Sequence, residues 1–229
     1  MRKLRYYYID KDFFLDNQKT YQVVIKNPVE FYKFVSFIKL EIENNDSENF
    51  CLSRNGDILS LSKYCCLIND VFSLEDVDKK SQTVLQKYIK DHWQNYGILD
   101  EYNELTTRMV QFVSIFKEGF DLDIDIEYID DFEILDFFKF IKIKPIITGD
   151  NFLEKLIKYV KLFHQLIGND VFFICNLSSV LSKEQISLLI KELNYFNINL
   201  FMIESYYIDY SSKDIECIII DEDLCEYYK

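Results

Sequence analysis

The chain has 229 residues, of which 49% are hydrophobic and 17% aromatic, and its net charge is -13. That length suits one large domain or two small ones, and the apolar content argues against a disordered chain. With only 5 Gly and 2 Pro, the composition argues against propellers, flexible linkers and Gly-rich phosphate loops.

The sequence predicts a cytoplasmic protein with reduced thiols. No apolar run approaches the about 20 residues that span a bilayer, and MRKLRYYYIDKDFF has no signal-peptide core. The cysteines form no CxxC pair and no metal-ligand spacing with His92 or His164. We therefore expect structural thiols and no zinc at Cys51, Cys65, Cys66, Cys175, Cys217 and Cys225.

The first third of the chain predicts a strand, a helix and a hairpin. YQVVI at 21–25 is a short β-rich run. A helix follows, with Asn27 as N-cap, Pro28 at the first helical position and Glu30 at the third. Asn-Gly at 55–56 predicts a hairpin tip between FCLSR and DILSL.

Residues 74–119 have a helical pattern and predict a separate, all-helical lobe, the leg. Two segments with apolar side chains at helical spacing are separated by Gly97, which indicates an antiparallel helix pair. We expect both apolar stripes to pack in a core. The stripes consist of Val84, Leu85, Tyr88, Ile89, Trp93, Leu105, Met109, Phe112, Val113 and Phe116.

Residues 121–136, DLDIDIEYIDDFEILD, carry eight carboxylates and no positive charge. In LDIDIEY apolar residues alternate with acids, which predicts an extended segment, and a helix with Ile134 and Phe138 on one face follows. Hard carboxylate oxygens without His or Cys favour Ca²⁺ or Mg²⁺ over zinc. An EF-hand is excluded, because Ile126 stands where that loop needs Gly and Phe132 where it needs Glu.

Directly after the acids the charge reverses. Lys139, Lys142 and Lys144 form a basic strip that can bind a phosphate backbone without reading its sequence. The overall charge of -13 would ordinarily argue against a nucleic-acid partner, but residues 121–136 carry -8 and residues 204–229 carry -6, which leaves +1 for the rest. Composition alone leaves a solvated acidic face and a solvated lysine surface as alternatives.

The last third predicts an α/β head. A helix begins at Asp150 and ends at Gly168, and VFFICN, a helix capped by Ser182, INLFMIES and IECIIID follow. Strands with continuous apolar runs joined by a helix are typical of a parallel sheet. The predicted fold class is therefore α/β, with a head over 1–73 and 120–229 and the helical leg over 74–119.

No catalytic constellation is found in the sequence. No glycine begins the GK[ST] end of a phosphate-binding loop, so ATP hydrolysis has little support. His164 and His92 lie in helical segments, where a packing or interface role is expected, and neither belongs to a recognisable catalytic motif.

The order of segments resembles the Csn-two family of type II-A CRISPR adaptation proteins. The resemblance rests on DIDIEYIDDFEILDFFKFIKIK, GDNFLEKLIKYVKLFHQL, FFICNLSSVLSKEQISLLIKEL, INLFMIES and IIIDEDL over 123–223, and extends weakly to TYQVVIKNPVEFYKFVSFI. It implies a homotetrameric ring whose head resembles a degenerate P-loop ATPase. It also implies a non-catalytic role in spacer acquisition, in which the ring binds ends of linear double-stranded DNA alongside the integrase proteins and the effector nuclease.

The resemblance also assigns roles to individual residues. It implies calcium ions at the junction of head and leg, and DNA contacts at Lys139 and Lys144. Lys142 lies between these lysines, at a position where we expect a small or apolar residue in the family. The implied calcium ligands are Asp123, Asp125, Glu127, Asp130, Asp131 and Asp136.

Two other functions are open at this point. The carboxylates could hold two metals in a divalent-metal-dependent nuclease, although no lysine completes a D…ExK arrangement near them. Alternatively, the acidic tail IIIDEDLCEYYK could make the chain a protein-interaction module that binds a basic partner of the adaptation complex.

Overall fold

The computed structural model describes residues 1–16, 19–44, 48–72, 74, 79–119, 133–210 and 214–229. The chain divides into two compact units. The first unit comprises Met1–Asp76 and Ile146–Lys229, and the second comprises Val77–Pro145. The extended segment predicted over 122–127 lies outside the described residues.

The first unit contains two β-sheets. The strands are β1 Arg2–Tyr6, β2 Phe13–Phe14, β3 Thr20–Ile25, β4 Phe50–Arg54, β5 Asp57–Leu59, β6 Cys65–Ile68, β7 Val171–Cys175, β8 Asn199–Glu204, β9 Ile215–Ile220 and β10 Glu226–Tyr228. The small sheet is antiparallel, in the order β2-β1-β4-β5, and the large sheet has the order β10-β9-β3-β8-β7-β6. Among the described strands of the large sheet, β6, β7, β8, β3 and β9 are parallel and β10 is antiparallel.

Helices cover both faces of the large sheet. The described helices are α1 Pro28–Asn44, α2 Leu61–Tyr64, α3 Lys79–His92, α4 Leu99–Glu118, α5 Ile134–Phe140, α6 Phe152–Ile167 and α7 Lys183–Tyr195. On one face, Tyr21 and Phe201 share a core with α1 and the small sheet. On the other, Phe172 and Leu200 pack with α6 and α7. Each parallel strand is therefore buried on both faces, which explains its continuous apolar sequence.

Local signals place most of the predicted elements of this unit correctly. The Asn27 side-chain oxygen accepts from the Val29 amide at 3.0 Å at the start of α1. Asn55 and Gly56 both have positive φ, 54° and 99°, as a two-residue hairpin between β4 and β5 requires. Ser182 forms a reciprocal capping box at the start of α7.

Two details of the first unit differ from the sequence predictions. Helix α6 is capped by Asn151, whose side-chain oxygen accepts from the Glu154 amide at 3.0 Å, instead of by Asp150. Strands β1, β2, β6 and β10 were not predicted. Strand β1 pairs with β2 and with β4, and β6 pairs with β7, which is more distant in the chain, so local patterns carried little information about them. Strand β10 is short and pairs with β9 across the turn that joins them.

The described part of the second unit is helical, with α3, α4 and α5. Residues 133–145, which the sequence predicts to be part of the head, group with the leg helices. The apolar stripe of α4 was expected to form a core, and this was wrong. None of the residues of α4 is buried, and Phe112 and Phe116 are 71% and 58% exposed.

Candidate DNA and metal interface

Helix α5 and the residues that follow it carry the described part of the predicted site, and the helix is anchored at its start. Ile134 is buried and begins the helix, while Glu133 occupies the N-cap position with extended backbone. The Glu133 carboxylate accepts from the ammonium group of Lys90 on α3 at 3.1 Å. Sequence reasoning did not find this contact, because it joins residues 43 positions apart without a local pattern.

A groove lies between α4 and α5. Its cavity of about 220 Å³ lies against Leu105 and Met109 of α4 and against Phe137 and Phe140 of α5. Beyond the helix, the Gln82 side-chain amide donates to the Ile143 carbonyl at 3.4 Å. Helix α5 is thus attached to both longer helices of its unit.

The carboxyl end of α5 gives Lys142 a backbone role. Lys142 has a φ of 53°, in the left-handed region. Its amide donates to the Lys139 carbonyl at 3.2 Å, and the Ile143 amide donates to the Phe138 carbonyl at 3.2 Å. This pair of hydrogen bonds is the Schellman motif, in which the left-handed position is most often Gly. Lys142 therefore ends the helix at a position where a side chain is conformationally unfavourable.

Asp136 and Lys139, predicted to bind calcium and DNA respectively, pair with each other. The Asp136 carboxylate accepts from the Lys139 ammonium group at 3.0 Å, one helical turn away. Both side chains are more than half exposed, so the pair is weak and screened by salt. A cation that takes Oδ1 of Asp136 competes with Lys139 for that oxygen.

The three predicted DNA-binding lysines lie at one end of α5. Lys139, Lys142 and Lys144 are all exposed, and they follow one another within six residues. In the described ranges no carboxylate forms an ion pair with Lys142 or Lys144. The arrangement offers positive charge to a polyanion without a fixed set of hydrogen-bond partners, which suits binding that does not depend on base sequence.

Only one of the six predicted calcium ligands can be placed. Asp136 is described, whereas Asp123, Asp125, Glu127, Asp130 and Asp131 lie outside the described residues. Among the residues that the structure does describe, no three His, Cys, Asp or Glu side chains come together as a metal site. Asp136 fits a hard divalent cation in its chemistry and its exposure, since it offers an exposed carboxylate whose ion-pair partner among the described residues is the exposed Lys139.

The histidines make contacts with nearby backbone. His164 Nδ1 lies 2.7 Å from the Asn169 carbonyl oxygen, and His92 Nδ1 lies 2.8 Å from the Tyr88 carbonyl oxygen. These contacts fit the structural roles that were expected for both residues.

Burial governs the chemistry of three thiols. It raises the pKa of Cys175 to about 12 and the pKa of Cys217 to about 11, and it raises the pKa of Cys65 further. These thiols are therefore protonated at neutral pH and are poor nucleophiles.

The connection between β3 and α1 is too short for a phosphate-binding loop. It consists of Lys26 and Asn27 alone, both described. The amide of Lys26 donates to the Ile220 carbonyl at 2.9 Å, and the Asn27 side chain caps α1. A loop that cradles phosphates needs several consecutive free amides, and this connection does not supply them.

None of the described helices is both long enough and apolar enough to cross a bilayer. No curated protein matches the chain. The crystal structure of Stu0660 of Streptococcus thermophilus has a similar fold, with a TM-score of 0.58 and 13% identity, over 96% of this chain and 75% of that chain. The model of a family described as CRISPR-associated protein (Cas_Csn2) matches residues 43–224, most of the sequence. The chain therefore belongs to the Cas_Csn2 family of CRISPR-associated proteins.

Proposed function

We propose that this chain is a non-catalytic, calcium-stabilised homotetrameric ring that binds ends of linear double-stranded DNA during CRISPR spacer acquisition. Membership of the Cas_Csn2 family supports a role in CRISPR adaptation. The observation that carries the DNA-binding part is the exposed group of Lys139, Lys142 and Lys144 at the end of α5. The proposed setting is the cytoplasm, with the integrase proteins and the effector nuclease as partners.

The lysine group supports binding to the DNA backbone without sequence preference. Each lysine that neutralises a phosphate releases counterions, so affinity must fall as salt rises. A single chain at -13 would repel a duplex at long range. In a ring of four copies, twelve such lysines converge on one duplex, and calcium bound to the acidic stretch cancels part of the opposing charge.

Calcium and DNA binding are coupled in this proposal through Asp136. A calcium ion that takes Oδ1 of the Asp136 carboxylate competes with Lys139 for that oxygen. Lys139 is released by that exchange and can contact a phosphate. The coupling predicts that calcium raises the affinity for DNA and, by linkage, that DNA raises the affinity for calcium.

We further infer that the first unit is a degenerate relative of P-loop ATPase heads. The large sheet has five described parallel strands. The first of them in the chain, β3, lies inside the sheet between β9 and β8. The turn after this strand is where such proteins hold phosphates, and here it has two residues. The head would therefore act as a scaffold, and we propose no enzymatic activity.

The direct test compares linear and closed circular duplexes of one sequence. Size-exclusion chromatography with light scattering gives the mass of the protein with calcium and with a chelator, alone and with each DNA. We expect a tetramer with calcium that captures the linear duplex and leaves the circle unbound, because a ring loads from an end. Equal capture of both DNAs would refute the ring, and an unchanged mass and affinity under chelator would refute the calcium part.

The same samples test the nuclease alternative. Prolonged incubation of labelled linear duplex with Mg²⁺ or Mn²⁺ is expected to leave the DNA intact. Cleavage that is lost in Asp130→Ala would replace the proposal with a metal-dependent nuclease.

A further inference from the structure

A small cavity in the first unit is separate from the lysine group and is unused by the proposed function. It has a volume of about 120 Å³, below the roughly 300–1,000 Å³ of pockets that hold whole small molecules. It lies between the end of β1, the start of α1 and the turn that joins β9 to β10. Its size suits one long side chain of another molecule. The lining includes Tyr6, Tyr8, Ile25, Glu30, Phe34 and Glu226.

Aromatic rings form one wall of this cavity, and those of Tyr6 and Phe34 are held by packing in the core. The Tyr6 ring packs edge-on against Phe34 at 4.8 Å between centroids and lies 5.3 Å from the Tyr8 ring. Tyr6 and Phe34 are buried, whereas Tyr8 stands exposed at the rim. Aromatic faces that are fixed by their neighbours attract cations through their quadrupoles at little entropic cost.

Two carboxylates lie at the same cavity. Glu226 accepts from the Asp10 amide at 3.1 Å and from the Tyr228 hydroxyl, both neutral donors. In the part of the chain that the structure describes, no basic side chain forms an ion pair with Glu226. Glu30 pairs with Lys33 at 2.7 Å on the surface of α1, a contact of the weak, screened kind. Glu226 therefore has no ion-pair partner among the described residues.

Several further carboxylates lie on the surrounding surface. Asp221, Glu222 and Asp223 form the turn between β9 and β10, and the Asn27 side chain holds this turn beside α1 by donating to the Glu222 carbonyl at 3.3 Å. Asp10 adds another exposed carboxylate near Glu226. This is the acidic tail that the sequence singled out. Such a field repels nucleic acid and attracts a basic partner.

We propose that this cavity binds a basic side chain, arginine in preference to lysine, from a protein partner. Arginine suits it because the guanidinium group is planar, stacks on aromatic faces and donates in a fork that matches a carboxylate. The Tyr8 ring supplies the stacking face, and Glu30 and Glu226 supply the acceptors. The acidic turn then contributes to the association rate and to the choice of a basic segment.

The test is a titration of the full chain with a peptide that carries a single arginine. The protein is labelled at its isoleucine methyl groups, and acetyl-Gly-Arg-Gly-amide is added in physiological salt without DNA. We expect the methyl signals of Ile9, Ile25 and Ile220, which line the cavity, to shift, while Ile98 in the second unit does not. The matching citrulline peptide has nearly the same shape without the charge, and it should bind at least tenfold more weakly.

Matched variants locate the site. Glu30→Gln with Glu226→Gln should weaken binding at least tenfold, and Glu101→Gln with Glu104→Gln, an equal charge change in the second unit, should leave it unchanged. Tyr8→Leu should weaken binding about threefold, as expected for loss of a partly exposed cation–π contact, whereas Tyr32→Leu on the exposed face of α1 should have no effect.

Several results would overturn the proposal. Equal binding of the citrulline peptide, equal losses in both pairs of glutamate variants, or the absence of shifts at the cavity would each do so. Because the titration contains no DNA, its outcome is independent of the DNA-binding proposal.

Discussion

Many aromatic side chains of the first unit are buried in its core, whereas the described aromatic side chains of the second unit are all at least partly exposed. Phe13, Phe173 and Phe201 of the first unit are at most 1% exposed, whereas Phe112 and Phe116 on α4 are mainly exposed. The parallel sheet of the first unit is covered on both faces, whereas none of the residues of α4 in the second unit is buried. The lysines that we propose to bind DNA are therefore on the second unit, which is less well packed than the first.

The charges differ between the units in the same way. Arg2 in the first unit is buried and pairs with Asp170, while its guanidinium also lies 4.8 Å from the centre of the Tyr64 ring. The pairs of the second unit, such as Lys90 with Glu133 and Lys139 with Asp136, are exposed. Exposed pairs exchange partners at little cost, which is what a surface that binds ions and DNA requires.

The largest expected effect separates the two kinds of aromatic packing. Phe201→Ala removes a ring that contacts Phe13, Tyr21 and Phe173, and it should lower the free energy of unfolding by about 3–5 kcal/mol. Phe112→Ala should change it by no more than about 0.5 kcal/mol. Urea denaturation followed by circular dichroism measures both. A loss of similar size in Phe112→Ala would mean that the α4 face is covered in the isolated protein.

The buried ion pair gives the next largest effect. Arg2→Met leaves Asp170 without its cation and should cost about 3–5 kcal/mol of unfolding free energy. Adding Asp170→Leu should recover much of that loss, because Nε and Nη2 of Arg2 and Oδ1 of Asp170 have no hydrogen-bond partner in the described structure. Lys90→Met at the exposed pair should cost at most about 1 kcal/mol. If both single variants lost the same amount, the contrast between the units would fail.

The smallest effect concerns the end of α5. Lys142→Gly removes the side chain at a left-handed backbone position, where a Cβ atom causes strain. The substitution should therefore raise the free energy of unfolding by up to about 1 kcal/mol. The control, Lys144→Gly, has no positive φ to relieve and should give no gain. Thermal unfolding of both variants measures the difference. Destabilisation by Lys142→Gly would contradict the helix-ending role.

Sequence reasoning succeeded where a few neighbouring residues determine the backbone. The Asn-Gly hairpin, the Asn27 cap and the Ser182 capping box each need only residues close in sequence. Strand β1 was missed because it is held by β4, with Arg2 opposite Arg54, and such pairing leaves no local pattern. The α4 stripe misled for a related reason, since helical spacing identifies an apolar face without identifying what covers it.

The candidate site was predictable only in part. The change from acidic residues to lysines along the sequence identified the charged groups. The structure places Asp136 and Lys139 on α5, and Lys142 and Lys144 just after it. The pairing of Asp136 with Lys139 follows from their spacing of three residues. The left-handed backbone of Lys142 could not be predicted, because lysine has no preference for that conformation.

The salt dependence of DNA binding tests the central claim most directly. The affinity for a short linear duplex is measured in calcium over a range of salt concentrations, for the wild type and for Lys139→Gln/Lys142→Gly/Lys144→Gln. The control, Lys39→Gln/Lys158→Gln/Lys191→Gln, makes the same charge change at exposed lysines of the first unit. For the α5 variant we predict weaker binding and a slope of log affinity against log salt that is shallower by about 0.9 for each lost phosphate contact. Equal slopes in the wild type and the α5 variant, or an equal loss in the control, would contradict the account.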